Sequence, residues 1–360
     1  MPKLIFHVGP GKCGSSSIQG FFGAGNPCTQ NVRYRLLDPV RLMELDCERP
    51  SKSALGHFAE ILKNDVAECD VLILSHEVLF KRPGAIRHIC RLANGMFPTI
   101  VVVGYSRRQS EFVFSAYSQW FFRSPERIKE TAEVVIGLGL DPMLFSGLER
   151  QSIASIANDF YSARQLDGKS ILDWHDGYQK LSASVTGLGV EIICGVLPGK
   201  ESAELLIGDF CEKCGLNLRE DAEAASRQVA NTSFSREIVE AIDNAIVLGL
   251  AAPTPHQLNQ TLQLLSATAT SDASEPSTFL QALKSYIDGH YWQSNRQLCR
   301  EYALNEDYFA PSSQLSKEEI LDIIACEGQR RASDKSEVIA RYRTLSAKMA
   351  ELCLKLTRKL

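Results

Sequence analysis

Four short apolar runs divide the chain: "LIFHV" (4–8), "VLILS" (71–75), "TIVVVGYS" (99–106) and "VEIICGVL" (190–197). Each is too short for a buried helix, and the third is strongly β-branched, so each predicts a strand. Stretches of helical periodicity separate them, giving the order β-α-β-α-β-α-β. That order predicts an α/β fold, a parallel sheet with helices on both faces. In such sheets ligands sit beyond the carboxyl ends of the strands. The polar clusters of interest lie just after these runs.

The pattern also places other elements. A helix is expected from about Ser15, and another after the third run, where Phe112, Val113, Ala116, Tyr117, Trp120 and Phe121 form an apolar stripe. Residues 124–170 read as mostly helical and less regular. The Ser/Thr/Ala-rich segment 266–278 reads as a mobile surface loop. Ser316 and Glu319 match a capping box. A final helix is expected over 334–360, with Val338, Tyr342, Leu345, Met349, Leu352 and Leu356 in a heptad seam. The expected organisation is one α/β domain over 1–330, with helical insertions near 122–170 and 215–290, followed by a helical arm over 334–360.

Composition narrows the class. Hydrophobic residues make up 44% and charged residues 23%, as in ordinary globular proteins. The formal net charge of −4 argues against a nucleic-acid partner, for which a basic domain is expected. No apolar stretch approaches the ~18 residues of a membrane span, and the first apolar run is too short for a signal peptide. The expectation is a cytoplasmic protein, with most of the eleven cysteines acting as small buried hydrophobes.

The first run opens into "GPGKCGSSS" (9–17). A glycine turn that enters a helix gathers backbone N–H groups at the positive end of the helix dipole, which makes an anion site. Lys12 adds a full charge, and Ser15, Ser16 and Ser17 add hydroxyls. The triphosphate-binding loop, G-x-x-x-x-G-K-[ST], has its lysine after the last glycine. Here Lys12 precedes Gly14.

After the third run, Arg107 stands at the strand end and Ser115 lies eight residues later on the following helix. A guanidinium and a hydroxyl so spaced can converge on one phosphate. The two clusters together resemble the sulfotransferase family that uses 3′-phosphoadenosine 5′-phosphosulfate (PAPS). "HVGPGKCGSSSIQ" looks like that family's first motif as seen in bacterial members, and "YSRRQSEFVFSAYSQ" looks like its second. The segment "SNRQLCREYALNEDYF" (294–309) also looks like a late segment of bacterial members. Cys13-Gly14-Ser15-Ser16 stands where members more often have Thr-Gly-Thr-Thr, a change that keeps the hydroxyls.

The resemblance implies a P-loop-like sulfotransferase fold and explains the early lysine. Gly9, Gly11, Lys12, Cys13, Gly14, Ser15, Ser16 and Ser17 would bind the 5′-phosphosulfate, and Arg107 with Ser115 the 3′-phosphate. Asn295, Arg296 and Arg300 would complete the pocket, although an exposed helix face explains them equally well. No metal is expected, since sulfuryl transfer needs no bound magnesium. Lys12 would stabilise charge on the bridging oxygen. His76 and Glu77, after the second strand, both offer a general base: a histidine there resembles the small-molecule branch, a glutamate the carbohydrate-acting members. The acceptor implied is a carbohydrate or glycolipid hydroxyl. The alternatives are a P-loop small-molecule kinase and a catalytically silent binding module.

Cys211-x-x-Cys214 has metal-ligand spacing but no second pair, and reads as a helix end stopped by Gly215. His175 reads as hydrogen-bonded or on the surface, and Trp174 and Tyr178 as core. The final helix, with seven Lys/Arg against three Asp/Glu, could support a homodimer or touch an anionic membrane surface.

Overall fold

The structure is a computed structural model describing residues 2–11, 13–119, 125–158, 172–197, 203–220, 222, 236–250, 254, 256–257 and 277–357. The chain divides into two compact units of three segments each: 1–107, 173–231 and 294–306 in the first; 108–172, 232–293 and 307–360 in the second.

The first unit is built on a parallel five-stranded sheet in the order β2-β3-β1-β4-β5. Its strands are β1 (Lys3–His7), β2 (Val32–Leu36), β3 (Val71–Ser75), β4 (Thr99–Ser106) and β5 (Val190–Val196). The expected α/β class and four of these strands agree with the sequence pattern. The fifth, β2, was not expected. Its sequence, VRYRL, alternates: Val32 and Tyr34 join the core on one face, while Arg33 and Arg35 reach the buried carboxylate of Asp65 on the other. A charged face at a sheet edge hides the apolar signal.

Helices cover both faces. α1 (Ser15–Gly23) and α9 (Ala203–Cys214) pack together over Ile5, Ile73, Val103 and Tyr105. On the opposite face, α3 (Lys52–Val66), α4 (Pro83–Ala93) and α8 (Trp174–Val185) form a layer, with α2 (Pro39–Leu45) against α4. The alternation along each strand dictates this, since successive side chains point to opposite faces. Strand β4 carries Gly104, where a β-carbon would lie 2.8 Å from both the Val8 carbonyl and the Tyr178 hydroxyl. Only glycine lets the chain leaving β1 lie this close. The first unit also holds most of α12 (Trp292–Tyr302).

The second unit is helical: α5 (Gln109–Gln119), α6 (Pro125–Gly137), α7 (Gly147–Ala157), α10 (Arg236–Val247), α11 (Thr278–His290), α13 (Lys317–Ser333) and α14 (Ser336–Thr357). The expected stripe on α5 is buried at Phe112, Val113, Ala116 and Tyr117; Trp120 and Phe121 lie outside the described residues. Charged pairs are buried with the apolar core. Arg150 pairs with Asp243, and Arg331 reaches both oxygens of Glu149 at 2.9 and 3.0 Å. Glu149 also closes a capping box with Ser146 at the start of α7.

The Ser316–Glu319 capping box forms as expected and starts α13, which ends at Ser333. The last helix begins at Ser336 rather than 334. Its seam turns inward: Val338 and Leu345 are buried, and α14 packs on α10. Of the loop expected at 266–278, residues 266–276 lie outside the described residues; Ser277 caps α11. Among the described residues no helix is long and apolar enough to cross a membrane.

Candidate functional site

The site is at the carboxyl ends of β1, β3 and β4 in the first unit. After His7, the Val8 amide still donates to Val103 of β4 at 2.8 Å, and the chain then turns through Gly9–Gly14 into α1. Gly14 stands at the N-cap with φ 85°, a left-handed conformation that glycine adopts without strain. A β-carbon there would also lie 2.4 Å from Leu206 and 2.8 Å from Leu197. The Gly14 carbonyl accepts from the amides of Ser17 and Ile18 at 3.0 and 3.3 Å, which starts the helix.

Of the loop's serines, Ser15 is buried, Ser17 is half-buried and Ser16 is exposed. The Ser15 hydroxyl is fully covered and has no hydrogen-bond partner among the described residues. It faces Gly9, where a β-carbon would sit 3.7 Å away. A buried hydroxyl without a partner costs free energy, and an acceptor placed in the loop would recover it. Lys12 lies outside the described residues.

Cys13 shows what the loop is packed against. Burial pushes its thiol up to about 12, and the sulfur accepts from the backbone of Arg107. The Arg107 charge, Cys194 and the Glu77 charge also act on it. The loop thus packs against the end of β4 at Cys13, and Glu77, after β3, acts on the thiol only through its charge. Arg107 is held through its main chain as well, its carbonyl accepting from Trp174 Nε1 at 2.7 Å. Trp174 and Tyr178 are fully buried, as expected for core residues.

Past β3, the His76 amide donates to the His7 carbonyl at 3.3 Å. A short 3-10 turn, Glu77–Lys81, follows. His76 is its N-cap, with Nδ1 accepting from the Val78 amide at 3.0 Å. Burial lowers the His76 pKa, opposed by Glu77 and Asp38. Glu77 is half-buried in the first position of the turn.

The other expected residues are spread out. Asn295 is fully buried on α12, next to Ser294, whose hydroxyl donates to Asp173. Asp173 caps α8, just ahead of the Trp174 that holds Arg107. Arg296 and Arg300 both pair with Glu306, at 3.1 and 3.5 Å. Arg300 is close in sequence to Tyr302, which lines a groove beside Val190 and Ile192, the amino half of β5. Ser115 belongs to α5 of the second unit. His175 meets Glu301 at 3.2 Å. Cys211 and Cys214 are buried core residues at the end of α9, followed by Gly215 at φ 62°.

The residues that sequence reasoning missed are those behind the loop. Cys194 and Ser106 touch at 3.6 Å on neighbouring strands, near the Tyr178 hydroxyl. Their placement depends on the β4–β5 register, which pairs Ser106 with Val196 and Gly104 with Cys194; no local motif marks it.

Compared with protein-family models, curated proteins and solved structures, the chain finds no match in any of the three.

Proposed function

We propose that this chain is a PAPS-dependent sulfotransferase of the P-loop-like sulfotransferase fold, acting on a carbohydrate or glycolipid hydroxyl. The observation that carries the reading is the buried Ser15 hydroxyl, without a partner among the described residues, at the start of the helix that follows the glycine loop. A glycine loop at a helix N-terminus suits a doubly charged phosphosulfate. Arg107 lies at the adjoining strand end with its main chain fixed, suited to a second phosphate. Ser115 and the sugar-acceptor class rest on the sequence resemblance.

PAPS supplies a sulfuryl group on a phosphate leaving group. Glu77 would take the proton of the acceptor hydroxyl as the new S–O bond forms. Lys12 and the loop amides would stabilise the electron pair left on the bridging oxygen as the old S–O bond breaks. Positioning and charge stabilisation of this kind supply most of the barrier reduction in the related phosphoryl transfers.

The test is calorimetry with the product nucleotide, 3′-phosphoadenosine 5′-phosphate (PAP), together with turnover of labelled PAPS. Arg107→Ala removes the guanidinium and leaves the carbonyl that holds Trp174. It should weaken PAP binding by roughly ten- to a hundredfold, the worth of a charged hydrogen bond. Lys12→Ala should lower transfer by about 10²–10³ while PAP still binds. A wild-type chain that binds ATP–Mg in preference to PAP would favour a kinase instead.

A further inference from the structure

We propose that His76 is a positioning residue that fixes Glu77, and that it takes no proton from the acceptor. The proposal rests on the sulfotransferase reading and decides between the two bases that reading leaves open.

His76 is anchored at three points. Its amide donates to the His7 carbonyl at 3.3 Å, which continues the β1–β3 alignment one residue past the strand. Its carbonyl accepts from the Leu79 amide at 3.1 Å, closing the turn. Its ring Nδ1 accepts from the Val78 amide at 3.0 Å. Glu77 lies between His76 and the Val78 and Leu79 amides that His76 holds, so two of these bonds close over it and its backbone has little freedom.

The third contact fixes the chemistry of the ring. An amide N–H can only donate, so Nδ1 presents its lone pair and the proton of the neutral ring sits on Nε2. A ring in this state has no free lone pair. Accepting a proton would require Nδ1 to release Val78, uncapping the turn that carries Glu77, and would create a cation on a half-buried ring. Among the described residues, the charged groups that act on the ring are Glu77 on its own turn and Asp38 at the cap of α2. Both favour the cation, yet burial outweighs them. Among the described residues the Glu77 carboxylate caps no amide of this turn, and its charge reaches Cys13 of the loop.

The experiment uses the full chain and three variants. His76→Asn supplies a side-chain oxygen that caps as well as the best residues but cannot titrate near neutral pH. His76→Leu removes the cap, and Glu77→Gln removes the carboxylate. In ¹⁵N-histidine-labelled protein, the His76 ring, assigned by its loss in His76→Asn, should show an unprotonated Nδ1 and a protonated Nε2 from pH 6 to 8. His76→Asn should keep kcat within about threefold of wild type with the acid limb of the pH profile unmoved. His76→Leu should lower kcat about tenfold with PAP affinity unchanged. Glu77→Gln should lower it by about 10²–10⁴. A protonated Nδ1, or a His76→Asn variant as inactive as Glu77→Gln, would overturn the proposal. A wild-type chain that binds no PAP would overturn the sulfotransferase reading instead, while the ring spectrum still decides whether the cap exists.

Discussion

Burial at His7 makes one residue a sensor of acid. Its ring lies in the interior against Phe210, with Nδ1 2.8 Å from the Ser75 hydroxyl across the β1–β3 pair. Burial lowers its pKa from 6.5 to about 3. Above pH 6.5 the ring is neutral folded or unfolded and contributes no pH dependence. Below that, the unfolded chain binds a proton that the folded one refuses, so stability falls as pH drops from about 6.5 toward 3, by about 1.4 kcal/mol per unit. His7→Asn keeps a polar group near Ser75 but cannot titrate there. Its urea midpoint should be lower at neutral pH, and the gap to wild type should close as pH falls to 4.5. Curves that stay parallel would show that the ring is solvated. At this scale the positions of Gly9, Gly14, Arg107, His76 and Glu77 just past the strand ends were legible, because polar groups after an apolar run stand out. The state of the His76 ring was not, because it depends on which way the ring faces relative to one amide two residues on.

The loop between β1 and α1 acts as an element in its own right, and Gly14 is the residue that shapes it. The left-handed backbone and the closeness of Leu206 and Leu197 both exclude a side chain. Gly14→Ala should therefore destabilise the first unit by roughly 1–3 kcal/mol, read as a lower urea midpoint, and should weaken PAP binding at temperatures where the variant is still folded. Binding unchanged in a destabilised variant would separate the loop from the nucleotide. The glycine turn was legible because its chemistry is local. The edge strand β2 was not: Arg33 and Arg35 look like solvent residues until Asp65, 30 and more positions away, is seen to receive them. The carboxylate that stabilises the strand lies on another element, and no window over residues 32–36 contains it.

For the whole molecule, the open question in the sequence was what the last helix packs on. Its heptad seam could serve a second copy of the chain or its own unit. The structure uses the start of the seam internally: Val338 and Leu345 are buried, Arg341 lies 3.3 Å from Glu240 of α10, and the Tyr342 hydroxyl donates to the Met143 carbonyl at 3.2 Å. Periodicity could not distinguish the two uses, because an apolar stripe packs as well on a neighbouring helix as on a copy of itself. Concentration does distinguish them. A seam buried within one chain contributes the same stability at every protein concentration, whereas a seam buried between chains gives a Tm that rises with concentration by mass action. Leu345→Ala should cost about 2–5 kcal/mol of stability. Wild type and variant should both melt at temperatures independent of protein concentration over a hundredfold range, with the same sedimentation behaviour. A wild-type Tm that climbs with concentration, and stops climbing in Leu345→Ala, would mean that α14 exchanges its contact with α10 for one with a partner chain.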